Sequence, residues 1–170
     1  GDAMAMWVRK DGHWHAPDEA LIQQQVGAHD APLQRKHSST EPLREALYDL
    51  MWNDAGILRT KAGLQRAQSE LLALSEEIER VGVSADDRAF NLSWHDWLNL
   101  RSLIRVSQAI TTAALAREDS RGAHFREDFP LTGELETSRY TVVRKRGEAL
   151  ELTEQPVAFT RVRPGETLIT

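Results

Sequence analysis

The chain has 170 residues, 41% of them hydrophobic and 28% charged, with a net charge of −5. That is enough apolar material for one domain with a real core, and it excludes a disordered chain and a generic nucleic-acid binder. Cysteine is absent, so disulfides, thiolate catalysis and cysteine-based zinc sites are excluded, which suits a cytoplasmic protein.

No apolar stretch approaches the length of a membrane span and no signal-peptide pattern is present, so direct membrane insertion is not expected. Residues 1–40 read as an N-terminal extension and linker. "GDAMAM" resembles neither a mature start nor a targeting peptide. Residues 1–4 are expected to be a cloning remnant, and the chain a piece of a longer protein. Asp11-Gly12 predicts a turn, "DEALIQQQV" a short helix and "GAHDAPLQRKHSST" a polar linker. His13 and His15 flank Trp14, with His29 and His37 downstream. Two histidines one residue apart can share a metal on an extended segment. No acidic residue joins them at fixed spacing, so no metal ligand is assigned.

Regular structure is predicted from Thr40, as N-cap, with Pro42 in the first turn. The first helix carries Leu43, Leu47, Leu50 and Met51 on one face and ends near "NDAG". The second carries Leu64, Ala67, Leu71, Leu74, Ile78 and Val81 at alternating spacings of three and four, a narrow apolar seam. "GVSADD" breaks it. The third is predicted to start at Ser93, with Asp96 completing a variant capping box. Its stripe is Trp97, Leu100, Ile104, Ile110 and Ala114, widened by Trp94, Leu98 and Leu103. Helices joined by short connections predict a mainly α chain, a three-helix up-down bundle over 41–130. Over 131–170 the period changes to two. "RYTVV" and "ALELT" flank "RKRGE", a hairpin turning near Gly147, and Pro156 opens "VAFTRV", a third edge segment before the tail.

His95 and Asp96, between Trp94 and Trp97, read as residues near a helix cap rather than an acid–base pair. Arg139, Arg144, Lys145 and Arg146 interleave with Glu134, Glu136, Glu148 and Glu151, which predicts cross-strand ion pairs rather than a phosphate-binding surface. There is no phosphate loop, nucleophile elbow or HExxH. No catalytic, cofactor-binding or metal residue is assigned.

"ALAREDSRGAHFREDFP", residues 114–130, is unlike ordinary surface. Gly122 is expected in the left-handed position that ends the third helix. Arg117 and Arg121 then sit at the negative end of its dipole. Asp119, Glu127 and Asp128 are expected to pair with the arginines, and Pro130 forbids further helix. So many polar groups at one helix end suggest a turn held against another surface.

This stretch resembles the end of the C-terminal helical domain in the succinate dehydrogenase/fumarate reductase flavoprotein family, which also includes L-aspartate oxidase. The matching positions are Ser120, Arg121, Gly122, Ala123, His124, Arg126, Asp128, Phe129 and Pro130, with Asp119 in place of a glutamate. Upstream, "LREALYDLMWNDAGILRTKAGLQRA" is similar to the family's first helix and following turn, through Met51-Trp52, Gly56 and Arg59. Ser102 stands where members often carry asparagine, and "PVAFTRVRPGETLI" looks like the tail of a soluble-type branch.

The resemblance implies a spectrin repeat-like bundle packed on a larger FAD-binding and capping unit absent from this chain. That parent would be an electron-transfer oxidoreductase, passing a hydride between FAD and a small dicarboxylate or amino acid. By itself this chain would be inactive and hold no FAD. Ser120, Arg121, Gly122, His124, Arg126, Asp128 and Pro130 then belong to a domain-docking motif. The implied partners are the FAD-binding and capping domains. Self-association is expected through an apolar patch left open near "SRGAH", and membrane association only through other subunits of the parent complex. The alternative is a free-standing helical protein-interaction module.

Overall fold

The computed structural model describes residues 1–13, 16–147 and 149–167. Trp14 and His15 lie outside the described residues, as do Glu148 and the last three residues, and with them the expected histidine pair and the Glu148 ion pair. The chain divides into two compact units, 1–31 and 32 onward.

In the first unit, α1 (Asp2–Asp11) stands where a loosely organised extension was expected, while α2 (Glu19–Asp30) covers the short helix predicted at "DEALIQQQV". Helix α1 places Asp2 in its first turn and Arg9 and Lys10 in its last, matching the helix dipole. Gly12 closes it, donating its N–H to Trp7 O and Val8 O. Asp18 caps α2, accepting from Leu21 N at 3.0 Å. Neither helix buries a residue.

The second unit carries the bundle. A 3-10 turn, Ala31–Gln34, crosses into it and buries Pro32 and Leu33 where the composition suggests only linker. Helix α3 runs Glu41–Ala55, β1 Leu58–Arg59, α4 Lys61–Ile78 and α5 Leu92–Ala116. Thr40 holds the N-cap position of α3 without a side-chain bond. Ser39 Oγ instead accepts from Glu41 N at 3.2 Å. Thr60 caps α4 through Gly63 N at 3.1 Å. The cap of α5 is Asn91, two residues before the predicted Ser93. Asn91 Oδ1 accepts from Trp94 N at 2.9 Å and from Ser93 Oγ at 2.7 Å. Its Nδ2 donates to Ala85 O and Asp87 O, fastening the preceding loop to the helix.

The α4 seam is as patterned. Leu64, Ala67, Leu71 and Ile78 are buried and Leu74 half-buried, while Val81 follows the helix end. Across from it α5 buries Trp97, Leu100, Ile104, Ser107, Thr111 and Ala114, again at alternating spacings of three and four. Ile110, expected in this stripe, is exposed. Two polar residues take its share of the seam. Thr111 satisfies its hydroxyl within the helix, donating to Ser107 O at 2.9 Å, so its methyl can face the core. Trp97 locks the far end: its indole N–H donates to Ile78 O and Val81 O at 3.0 and 3.1 Å, and Arg35 and Arg101 lie over its ring.

After β2 (Phe125–Arg126) come β3 (Arg139–Arg146) and β4 (Ala149–Pro156), an antiparallel hairpin that turns through Gly147 with φ +59. The expected cross-strand ion pairs form between Arg146 and Glu151 at 3.0 Å and between Arg139 and Glu154 at 3.7 Å. The predicted third edge segment is not there: among the described residues no strand follows Pro156, where β4 ends. The architecture is mainly α, with one small antiparallel hairpin.

Candidate domain-docking site

Helix α5 ends at Ala116, six residues before Gly122, and Arg117 already has extended dihedrals. The expectation that Gly122 ends the helix is therefore corrected. The physical reason is Arg126. Its guanidinium Nη1 donates to Ala114 O, Leu115 O and Arg117 O at 2.9, 3.1 and 2.9 Å. A buried side chain thus takes the carbonyls that a glycine cap would otherwise satisfy through backbone N–H groups. Gly122 does have a positive φ, +53, but uses it in a tight turn. Arg121 N–H donates to His124 O at 2.7 Å and His124 N–H returns to Arg121 O at 2.9 Å.

Arg126 is only 1% exposed. Its Nε and Nη2 bind both oxygens of Asp128 at 2.7 Å, and it lies 4.9 Å from the Phe129 ring centroid. Asp128 also accepts from Lys61 N at 3.0 Å. The pair therefore ties the C-terminus of α5 to the first turn of α4. The bidentate hydrogen bond from Arg126 holds the Asp128 carboxyl well below the usual carboxylate range and raises the arginine in turn. Ser120 Oγ accepts from Arg126 N at 2.9 Å and donates to Phe129 O at 2.8 Å, closing the loop from inside.

Arg121 points along the chain. It pairs with Asp119 at 2.7 Å and donates to Thr132 O, Ser138 Oγ and Glu134 O at 3.0, 2.5 and 3.0 Å. Asp119 also holds Arg117 at 3.1 Å, and Arg117 reaches the hairpin through Arg139 O at 3.1 Å. Glu127, expected to pair with an arginine, has no ion pair among the described residues. Its N–H donates to Arg59 O at 2.9 Å.

Arg59 and His124 meet across the two short strands. Strands β1 and β2 pair in parallel, Leu58 with Phe125 and Arg59 with Arg126. Arg59 Nε donates to Ala55 O at 3.0 Å, and its Nη1 lies 2.9 Å from His124 Nδ1. A guanidinium only donates, so Nδ1 accepts and the ring is neutral with its proton on Nε2. Burial and the Arg59 charge lower the His124 pKa, consistent with that state. The Nε2 atom is closed off and meets no partner.

The motif residues divide accordingly. Ser120, Arg126 and Asp128 serve the bundle, Arg121 secures the chain beyond Pro130, and Gly122 and Ala123 face outward. Exposed Trp52, Ile57 and Leu58 lie together at the end of α3 and in β1, with Phe125 opposite Leu58 in β2. The pairing of β1 with β2 was not legible, because strands of two residues carry no periodicity. Elsewhere, Asp96 pairs with Arg44 at 3.4 Å, as befits a residue near a cap. Among the described residues, no three His, Asp or Glu side chains come together to hold a metal.

The sequence matches the family model described as the C-terminus of the fumarate reductase flavoprotein over residues 44–168. L-aspartate oxidase 1 of Ralstonia nicotianae is 41% identical over 88 residues, 52% of this chain and 15% of the relative. The fumarate reductase flavoprotein subunit of Mycobacterium tuberculosis is 35% identical over 113 residues, 66% of this chain and 19% of the relative. Among solved structures, Mycobacterium smegmatis Sdh1 in complex with UQ1 superposes with a TM-score of 0.76 at 27% identity, over 90% of this chain and 26% of that one. Adenylylsulfate reductase from Archaeoglobus fulgidus shares the fold, with a TM-score of 0.82 at 17% identity over 98% of this chain and 28% of that one. The chain spans less than a third of each of these relatives. With the family model matching residues 44–168, most of its length, this chain belongs to the fumarate reductase flavoprotein C-terminal family.

Proposed function

We propose that the chain is the C-terminal helical domain of an FAD-dependent oxidoreductase of the fumarate reductase/succinate dehydrogenase type, acting on a small dicarboxylate or amino acid. It buttresses the FAD-binding and capping domains and performs no chemistry itself. The observation that carries this reading is where the polar groups of residues 117–130 go. Arg126 is bound to three carbonyls and Asp128, Asp119 to Arg117 and Arg121, and His124 to Arg59. A site built for chemistry leaves its acid, base or cation open to a substrate; these are committed to the fold.

The residues of this chain do not fit FAD. Side chains fill the space between the helices, and the one turn with a glycine at positive φ in the motif, at Gly122, closes on His124 rather than opening a cradle of N–H groups. Flavin and redox chemistry are therefore assigned to the remainder of the parent. Ser120, Arg121, His124, Arg126 and Asp128 shape the docking motif through the bonds they make, Pro130 closes it, and Gly122 and Ala123 present it. No helix among the described residues is long and apolar enough to cross a membrane. In this reading the parent is cytoplasmic and meets membranes only through other subunits. A free-standing module is disfavoured, since the relatives carry this stretch inside chains several times longer.

The test is flavin content. The purified chain should be colourless and reduce no fumarate with reduced dyes, whereas the product of the whole gene should carry stoichiometric FAD. Yellow protein from the chain alone would overturn the division of labour.

A further inference from the structure

We propose that the end of the bundle formed by Trp52, Ile57, Leu58 and Phe125 receives the flavin-bearing part of the same polypeptide, which presents an acidic side chain to Arg59. The inference rests on the proposed function and adds to it a surface and its chemistry.

Trp52 is 76% exposed and Ile57 73%. With Asn53 and Leu58 they line a groove of about 460 Å³. Phe125, the register partner of Leu58, carries the apolar surface across to β2. Scattered exposed apolar residues are ordinary, but a tryptophan grouped with two aliphatics and a phenylalanine marks an interaction face. Tryptophan is also the side chain that most often anchors such a face. The surface draws on the last turn of α3, on β1 and on β2. It is complete only when β1 and β2 are paired, which links it to the turn through Gly122.

Charge identifies the occupant. Arg117, Arg121 and Arg126 each have a carboxylate at 2.7 to 3.1 Å. Arg59 has none among the described residues. Its two side-chain partners, Ala55 O and His124 Nδ1, are neutral. It folds back onto Ala55 O at the last turn of α3, the helix that carries Trp52, and follows directly on Leu58 in β1. Burial disfavours its charge, and no anion compensates. A half-buried guanidinium beside an apolar surface selects a planar carboxylate, which it binds through two parallel N–H groups. Asp or Glu on the missing part of the parent supplies one, and most of each relative's length lies outside the matched stretch. A second groove, between α3 and α5, is lined by Tyr48, Leu103 and Val106. Its charged residues Arg44 and Asp96 already pair with each other, at 3.4 Å, so it shows no such deficit.

The experiment is a footprint of the isolated chain against the whole flavoprotein subunit, using hydroxyl radicals for Trp52, Leu58 and Phe125 and phenylglyoxal for arginine. In the isolated chain all four should react. In the whole subunit Trp52 and Arg59 should react about tenfold more slowly, as expected for groups exposed only in a minor open population. Arg59→Gln in the whole subunit should return Trp52 labelling toward the isolated-chain rate, while Arg59→Lys, which keeps the charge, should preserve most of the protection. Protection of Tyr48 and Val106 with Trp52 still reactive would overturn this inference and leave the proposed function standing. Protected Trp52 beside reactive Arg59 would overturn the acidic contact. Protection that rises with concentration of the isolated chain would make a second copy the occupant, again against the proposal. No difference anywhere would remove the proposed function itself.

Discussion

The α4–α5 seam and the segment 117–130 both hold the bundle closed, by opposite means. In the seam, Leu71, Ile78, Trp97, Leu100 and Ile104 are buried in one cluster and Leu64 in a second with Ala55 and Ala114, and the force is removal of apolar area from water. In the segment, one buried guanidinium ties the carbonyls of Ala114, Leu115 and Arg117, at and just past the end of α5, to a carboxylate bonded to the first turn of α4. The first arrangement tolerates changes of shape that keep volume. The second depends on single atoms, because each polar group left unpaired keeps its full desolvation cost. A helix end can therefore be closed where it has too little apolar surface to pack, at the cost of fixing almost every residue in the loop.

Variants can break this contrast. Arg126→Ala should be the most damaging in the segment, at about 3–5 kcal/mol, since it leaves carbonyls and a carboxylate without their partner. Arg126→Lys should recover little, because a point charge cannot reproduce the fork. Leu71→Ala should cost ~2–5 kcal/mol, whereas Leu71→Met should cost less than ~1.5 kcal/mol. Denaturant melts of the four variants check both statements: similar losses for Lys and Ala at position 126, and unequal losses for Met and Ala at 71. Gly122→Val should cost roughly 1–2 kcal/mol, the penalty of a left-handed conformation. A Cβ there meets nothing within 4 Å, so the effect is strain and not collision. Hydrogen exchange should show it in the turn before the seam.

Acid sharpens the comparison with a smaller effect. The folded-state pKa of Asp128 is lowered, so its contribution is complete above the unfolded value, about 4, and fades as pH falls below it. His124 is also lowered from 6.5. The unfolded chain therefore binds the proton first, and stability declines as pH falls from about 6.5 through the folded value. Asp128→Asn should flatten the stability profile below pH 4, and His124→Gln should flatten the decline that sets in below about 6.5. Leu71→Ala should lower the whole curve without changing its shape.

How legible each region was follows from the same physics. Periodicity marks a seam, so α3, α4, α5 and the hairpin could be placed from spacing alone. It misled where polar residues enter the seam: Ser107 and Thr111 are buried while Ile110 is not. Asn91 was passed over because Ser93 also has a capping side chain, and the competition is decided by Ala85 and Asp87, which Asn91 alone reaches. In the segment the residue types announced importance but not direction. Arg126 and Arg121 look alike in sequence, yet one is buried against α5 and the other lies along residues 132–138. Contacts over such separations leave no local pattern. Helix α1 carries no seam to read, since it buries no residue.

The central claim is that residues 117–130 secure the bundle and do not reach the chemistry. It is tested most directly by Arg126→Ala in the whole flavoprotein subunit, with melting temperature and steady-state kinetics measured on the same preparation. Melting temperature should fall markedly, with KM and kcat per flavin unchanged in the fraction that stays folded. An unchanged melting temperature with turnover lost would contradict it.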